Sequence, residues 1–434
     1  MSAGPRLLVV AAERLDGQVA GTSIRALELA RALRSDAQVR LAAVGTPPAE
    51  IDGMPCVAYH PQDPSGLSDA LESADAVISL PRWPLYMRTL RRSGARLIFD
   101  LYVPEALETA GGFPGDRPRL RRLLTAFAVD RLVEALRCGD HFVCASEKQR
   151  DLWLGAMLAE RLIDQARLDA DPSLRSVVDV VPFGLPSTPA RASGAGGARR
   201  RFAIGEDDEI VLWNGGLWPW LDPDTAIRAV GALAQRRPGV RLVFMGAAQQ
   251  VPAQRTAERA QALAAELGLL DRVVFFNDEW VPYEQRADWL LEADCALSTH
   301  EDHLETRFAF RTRVLDCFWA RLPIVCTGGD DLGDVVARHE LGAAIEPGDV
   351  EGAATALASV LDAGKPSFEP RLAEVAARYT WDEVVEPLRR QLAAPRSPRV
   401  ARRAPSPAQA ARNGLYLAGR RALNLAGARD WPRL

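Results

Sequence analysis

The feature that most constrains this chain is a rhythm. Short apolar, β-branched runs alternate with longer amphipathic stretches, and the whole alternation occurs twice. In the first half the strand-like runs fall at 7–12, 39–44, 76–80, 96–101, 141–145 and 177–181. Helical patterns at 22–33, 84–92, 118–137 and 147–158 lie between them. Strands buried on both faces read as continuous apolar runs, and a β-α-β-α order predicts a parallel, doubly wound sheet. Residues 186–201 interrupt the pattern with Pro, Ser and Gly and keep no apolar period, so they read as a flexible linker. The alternation then restarts, with strands expected at 210–214, 240–245, 272–276, 294–298, 323–327 and 343–345. A helix is expected over 222–236, with Ile227, Val230, Leu233 and Ala234 on one face.

The expected architecture is α/β: two Rossmann-like parallel-sheet domains, 1–185 and 202–378, with ligands at the carboxyl ends of the strands in a cleft between them. A last helix is expected over 379–394, where Thr380 serves as N-cap and Glu383 completes a capping box.

Composition narrows the class. The chain has 434 residues, 48% hydrophobic and 25% charged, which excludes wholesale disorder. Its 33 Gly and 30 Pro follow no fixed period, so repeat arrays are excluded. A net charge of −4 argues against a nucleic-acid partner. Cys56, Cys138, Cys144, Cys295, Cys317 and Cys326 form no C-x-x-C pair and read as reduced core residues of a cytoplasmic protein. No apolar run approaches the ~20 residues that span a bilayer, and no signal peptide is visible. Residues 395–434 differ from the rest: nine Arg, one Asp and no Lys give +8, which leaves −12 for the remainder. Leu415, Ala418, Ala422 and Leu425 recur there at helical spacing. This basic tail reads either as a peripheral anchor at the anionic inner face of the membrane or as a disordered tail with one short helix packed on its own domain.

Chemistry-bearing residues cluster after strands. The first strand leads into a loop with Gly17 and Gly21, then Thr22 and a helix. Such a loop lets backbone N–H groups meet an anion, although G-x-G-x-x-G is absent and plain turn formation is the alternative. The strand ending at Ser298 runs into His300, Glu301, His303 and Glu305, then Arg311 and Arg313 at a helix start. There two guanidinium groups and free N–H groups are placed to hold a diphosphate. Asp316, one turn on, is placed to accept from ribose hydroxyls, and Gly328-Gly329 forms a second phosphate-type loop. A solvated helix start with Arg–Asp pairs is the plain alternative. Trp218 and Trp220 flank a Pro in a Gly-rich loop, as a sugar or base platform or as a plug of the domain edge.

These residues, in this order, resemble the GT-B glycosyltransferases, in particular the large retaining family four. The loop to Gly21 resembles its acceptor-domain loop. Val181-Pro182-Phe183-Gly184 resembles the motif closing the first sheet, and 316–325 the acidic helix, turn and strand. Gly328-Gly329 resembles the following glycine pair, and Tyr379-Thr380-Trp381 the start of the helix that crosses back to the first domain. The resemblance implies sugar transfer from a nucleoside diphosphate-sugar (UDP or GDP) to a hydroxyl of a glycan or lipid-linked acceptor. It also implies retention of configuration and nucleobase contacts at Trp280 and Val281. No cofactor or metal is expected, because Arg side chains and helix-start dipoles can neutralise the leaving diphosphate.

The departures from the family are specific. Its two Glu are separated by seven residues, but counting back eight from Asp316 gives Phe308. His300, Glu301, His303 and Glu305 are then the candidates to reach the donor sugar, and spacing does not choose among them. Its diphosphate-binding cations follow the first strand of the second domain, where this chain has Asn214-Gly215-Gly216. Gly216 keeps the backbone part of that site, and Arg311 and Arg313 are expected to supply the charge. Where the family often has a His, this chain has Asp100, the candidate to touch the acceptor hydroxyl. A sugar-nucleotide epimerase of the same build and a non-catalytic nucleotide-sugar-binding protein are the alternatives.

Overall fold

The computed structural model describes residues 4–15, 21–61, 63–112, 118–246, 251–395 and 405–425, and for 112, 251, 252 and 420–425 the backbone alone. Gly17 lies outside the described residues. Two compact units emerge. The first takes in the chain up to 182, apart from 111–113, and from 384 onward; the second takes in 183–383.

The first unit is built on an eight-stranded sheet: β1 (Arg6–Val10), β2 (Gln38–Val44), β3 (Glu50–Ile51), β4 (Met54–Tyr59), β5 (Ala76–Ser79), β6 (Arg96–Asp100), β7 (His141–Cys144) and β8 (Val178–Val180), in the order β3-β4-β2-β1-β5-β6-β7-β8. Every pairing is parallel except β3 with β4. The second unit carries a six-stranded, wholly parallel sheet: β9 (Glu209–Trp213), β10 (Val240–Phe244), β11 (Val274–Phe276), β12 (Cys295–Ser298), β13 (Ile324–Thr327) and β14 (Gly342–Ile345), in the order β11-β10-β9-β12-β13-β14. The central strands β5, β7, β12 and β13 are buried along their whole length, as their unbroken apolar runs require.

The sequence rhythm misses one element, the β3–β4 hairpin. Its two-residue turn is Asp52-Gly53, both at positive φ (52° and 79°), the combination a type I′ hairpin requires.

Three further departures have physical causes. Residues 186–201 are tied down rather than free: the Ser193 amide donates to Asp288 at 2.6 Å, and the Gly197 and Arg199 amides donate to Glu292 at 3.0 and 2.9 Å. The helix expected over 379–394 is two helices, Trp381–Val384 and Glu386–Ala393. Pro387, without an N–H, opens the second. Thr380, expected as an N-cap, directly precedes the first of these helices and also bridges Leu185. Here the two motifs that resemble family signatures meet, since Phe183 lies against Trp381 (centroids 5.1 Å apart) and a Cβ at Gly184 would sit 2.3 Å from the Trp381 ring.

The third departure concerns the tail. A helix, Pro407–Leu425, lies along helix Pro118–Cys138 of the first unit. Tyr416 is buried between Phe127 and Trp83, and Arg412 pairs with Asp130. No helix among the described residues is long and apolar enough to cross a membrane. The six cysteines form no disulfide with one another and five of them are buried; burial pushes the Cys144, Cys295, Cys317 and Cys326 thiols up.

Candidate active site

In a doubly wound sheet the strand order reverses beside the first strand, and the loops that leave the carboxyl ends there diverge to open a crevice. In the second unit that point lies between β9 and β12. The loops after these strands are laced together: Leu221 bridges His300, the Asp222 amide donates to the Thr299 carbonyl at 3.0 Å, and the Glu301 amide to the Trp220 carbonyl at 3.3 Å. Residues some 80 positions apart in the sequence, Trp218 to Asp222 and Thr299 to Glu301, therefore form one surface.

Arg313 reaches this surface from helix Thr312–Trp319. Its Nη2 donates to the Gly216 carbonyl at 2.9 Å, and its backbone carbonyl accepts from Asn214 Nδ2 at 2.7 Å. The guanidinium lies 5.5 Å from the Trp213 ring centroid. Gly215 makes the approach possible: its φ is 140°, and a Cβ there would stand 3.2 Å from the Arg313 guanidinium carbon. Burial pushes the Arg313 pKa down to about 9, with the neighbouring Arg311 charge adding to the effect. Arg313 Nη1 is buried without a hydrogen-bond partner. A desolvated cation with an idle donor is a demand for an anion.

Arg311 behaves differently. Its Nε lies 3.1 Å from Asp330 and its Nη2 3.4 Å from both Glu305 and Thr306 Oγ1, all of them buried. Asp330 also caps helix Asp331–His339, its Oδ1 accepting from the Gly333 amide at 2.6 Å. Burial raises the pKa of Glu305, and Arg311 opposes the rise. His300 is buried beside this cluster, and burial pushes its pKa down to about 3, so it is neutral near pH 7. Glu301 is exposed. Among the four acid and histidine candidates on this loop, Glu305 is the buried carboxylate and is paired with Arg311, while His300 is buried with its Nδ1 3.3 Å from the Glu301 carbonyl.

Asp316 is held by Arg286, whose Nε donates to Oδ1 at 3.0 Å. The Arg286 guanidinium is sandwiched between the Tyr283 and Trp319 rings, 3.5 and 4.3 Å from their centroids. Trp218 and Trp220 stack with parallel rings, 5.4 Å apart and 1° from coplanar. In the loop after β11, Asn277 Nδ2 donates to the Met245 and Glu279 carbonyls at 2.8 and 2.9 Å and shapes the turn that leaves Trp280 44% exposed. Gly328 does not offer its amide outward, because that N–H donates to the Ile345 carbonyl at 2.9 Å and extends the β13–β14 ladder. Gly329 takes a positive φ of 101°.

The remaining candidates belong to the first unit. Asp100 is buried, and Arg25 clasps it through Nε (2.6 Å) and Nη2 (3.2 Å), while the Tyr102 amide donates to Oδ1 at 3.2 Å. Arg25 also donates to the Val181 and Pro182 carbonyls, each at 2.8 Å. Gly21 opens helix Gly21–Leu33, and the Thr22 hydroxyl there is buried without a partner.

Sequence reasoning did not single out Arg286 or Asp330. Asp330 carried a signal, an Asp directly before a helical run. Arg286 carried none, since its ring partner Trp319 is remote in the chain.

Comparison with known proteins agrees with this architecture. The profile described as glycosyl transferases group 1 matches residues 208–363. D-inositol 3-phosphate glycosyltransferase of Acidothermus cellulolyticus is 29% identical over 213 residues, 48% of this chain and 46% of that protein. Its counterpart from Salinispora tropica is 30% identical over 240 residues, 52% and 47% of the two chains. The chain thus spans about half the length of the curated relatives it matches. Among solved structures, HepE of Anabaena in complex with UDP-glucose superposes with a TM-score of 0.63 at 15% identity, over 90% of this chain and 98% of that one. WaaG, a glycosyltransferase involved in lipopolysaccharide biosynthesis, gives 0.60 at 16%, over 88% and 98%. The fold is therefore GT-B, and the second unit matches the glycosyl transferases group 1 profile over residues 208–363.

Proposed function

We propose that this protein is a glycosyltransferase that takes a sugar from a nucleoside diphosphate-sugar and transfers it to a hydroxyl acceptor. The observation that carries the reading is Arg313, a half-buried residue whose Nη1 is buried without a hydrogen-bond partner, seated at the glycine turn after β9. A diphosphate there meets Arg313 Nη1 and the turn around Gly216, and charge-assisted bonds in a desolvated site are the strong kind. The same contacts stabilise the charge that grows on the leaving diphosphate as the glycosidic bond breaks.

The other donor contacts follow from position. Asp316, fixed by Arg286, presents its second carboxylate oxygen to ribose hydroxyls. Trp280 and Val281 flank the nucleobase, and the Trp218–Trp220 stack forms a flat platform next to the turn. Glu305 faces the sugar, with Arg311 holding its carboxylate in place. This gives the two arginines separate tasks: Arg313 binds the diphosphate and Arg311 positions Glu305. Gly329 supports the rim of the site. The match of the second unit to the glycosyl transferases group 1 profile supports retention of configuration, and the UDP-glucose complex of HepE supports a UDP-linked donor. The acceptor is bound by the first unit, where Gly17, Gly21 and Thr22 supply the loop. Asp100 reaches the acceptor through the backbone that Arg25 ties together, its carboxylate being occupied. An epimerase needs two proton carriers at the sugar; a neutral His300 and a salt-bridged Glu305 argue against that reading.

Incubation with a panel of UDP- and GDP-sugars tests the proposal. Slow release of the nucleoside diphosphate, faster with a hydroxyl acceptor, is the expected result. Release of an altered sugar nucleotide would instead indicate an epimerase, and saturable binding without turnover a binding protein.

A further inference from the structure

Helix Pro407–Leu425 is oriented against the usual rule for a surface helix. Two of its polar residues face the protein: Gln409 accepts from Arg137 at 3.0 Å, and Arg412 pairs with Asp130. Its apolar stripe faces outward, with Ala408, Ala411, Leu415 and Ala418 all exposed, Leu415 to 68%. The contacts also set its direction. As the numbering rises from Gln409 to Arg412 to Tyr416, the partners fall from Arg137 to Asp130 to Phe127, so the two helices run antiparallel. The end of the tail helix lies beside the start of helix Pro118–Cys138.

That start is basic and apolar as well. Arg119, Arg121 and Arg122 are exposed, Leu123 is 41% and Val129 42% exposed, and residues 118–129 contain no acidic residue. The two acids further along this helix are already claimed, Asp130 by Arg412 and Glu134 by Arg91 at 2.6 Å. The tail helix contains no acidic residue either. Among the described residues of these two helices the surface is thus apolar, flanked by cations and without uncompensated negative charge.

We propose that this face, formed by the start of helix Pro118–Cys138 and the outer side of helix Pro407–Leu425, docks on an anionic lipid surface. Charge complementarity selects the occupant. A second copy of the chain would bring the same arginines against themselves, and like charges across an interface oppose association. An anionic bilayer attracts them while the leucines and valine enter the headgroup boundary.

Sedimentation of the full chain with vesicles tests this directly. Binding to phosphatidylcholine vesicles containing phosphatidylglycerol, weakened by salt, and little binding to phosphatidylcholine alone are expected. Replacing Arg119, Arg121 and Arg122 by Gln should weaken the partition on the order of a hundredfold, as the loss of three charges near such a surface predicts. Leu415→Glu, which removes no cation, should weaken it as well. Neither change should alter UDP affinity or the melting temperature. Equal partition of wild type and both variants, no binding to anionic vesicles, or a dimer that Leu415→Glu dissolves would each overturn the proposal. None of these results depends on whether the protein transfers sugars.

Discussion

Arg313 and Gly216 meet across 97 positions of sequence, the guanidinium Nη2 donating to the glycine carbonyl at 2.9 Å. Through this contact a side chain on helix Thr312–Trp319 delivers charge to a turn that has no cation of its own. The sequence Asn214-Gly215-Gly216 supplies backbone and room, and the helix supplies the positive group.

Replacement of Arg313 by Ala is expected to weaken UDP binding by about 1.5–3 kcal/mol, the range for hydrogen bonds to charged groups. Lys should recover only part of the loss, because a point charge cannot both hold the Gly216 carbonyl and reach the phosphates in a fork. Isothermal titration of the three proteins with UDP checks this, and unchanged affinity in the Ala variant removes Arg313 from the site.

Arg311→Ala should behave otherwise. It strands Glu305 and Asp330 in a buried setting, and breaking such a pair costs roughly 3–5 kcal/mol. A loss of denaturation midpoint larger than any loss of UDP affinity is the expected pattern. The reverse pattern would return Arg311 to the diphosphate.

Gly215→Ala combines a φ of 140° with an approach of 3.2 Å to the Arg313 guanidinium. The added methyl displaces either the turn or the arginine. UDP affinity should fall toward that of Arg313→Ala, and the double variant should be no worse than the single ones, since coupled sites are non-additive.

In the first unit, Asp100→Asn and Arg25→Met test the buried clasp. Each single change should destabilise the protein by roughly 3–5 kcal/mol, whereas a double change to apolar residues of similar volume should recover much of that loss. Thermal unfolding reads the outcome. A stable Asp100→Asn protein that turns over slowly with acceptor would instead give Asp100 direct contact with the substrate.

His141 provides a pH test. Burial pushes its pKa down to about 4, while its Nδ1 lies 3.0 Å from the Ser176 carbonyl. The folded protein therefore binds this proton less readily than the unfolded chain. Below the ordinary histidine value of about 6.5 the unfolded state takes up the proton first, and stability declines until the folded pKa is passed. Several buried carboxyls, Glu134 and Asp294 among them, are raised and act in the opposite direction. The difference between wild type and His141→Gln isolates the histidine. Urea midpoints at pH 7 and pH 5 should show a steeper acid decline for wild type.

Much of the fold was legible because burial on both sheet faces leaves a direct imprint: all twelve strands expected from continuous apolar runs are present. The β3–β4 hairpin escaped because β4, Met54–Tyr59, has only Met54 and Tyr59 fully buried, so its imprint is weak. Its Asp-Gly turn was the signal available. The site was legible in kind, as cations and acids after a strand, but not in detail. Arg311 and Arg313 are two residues apart at a helix start, where neighbouring side chains leave in different directions, and no spacing rule reveals which one meets Asp330. Likewise Gly328 looked available until β14 was seen to take its amide. Such choices depend on contacts between remote segments, which periodicity does not encode.

The central claim is that the donor's diphosphate binds at the turn after β9, beside Arg313. Crystals of the protein with UDP test it most directly. Phosphate density is expected within hydrogen-bonding distance of Arg313 Nη1 and of the turn at Gly216, with the uracil near Trp280. UDP bound elsewhere, or a bound UDP with Arg313 still joined only to the Gly216 carbonyl, would contradict it.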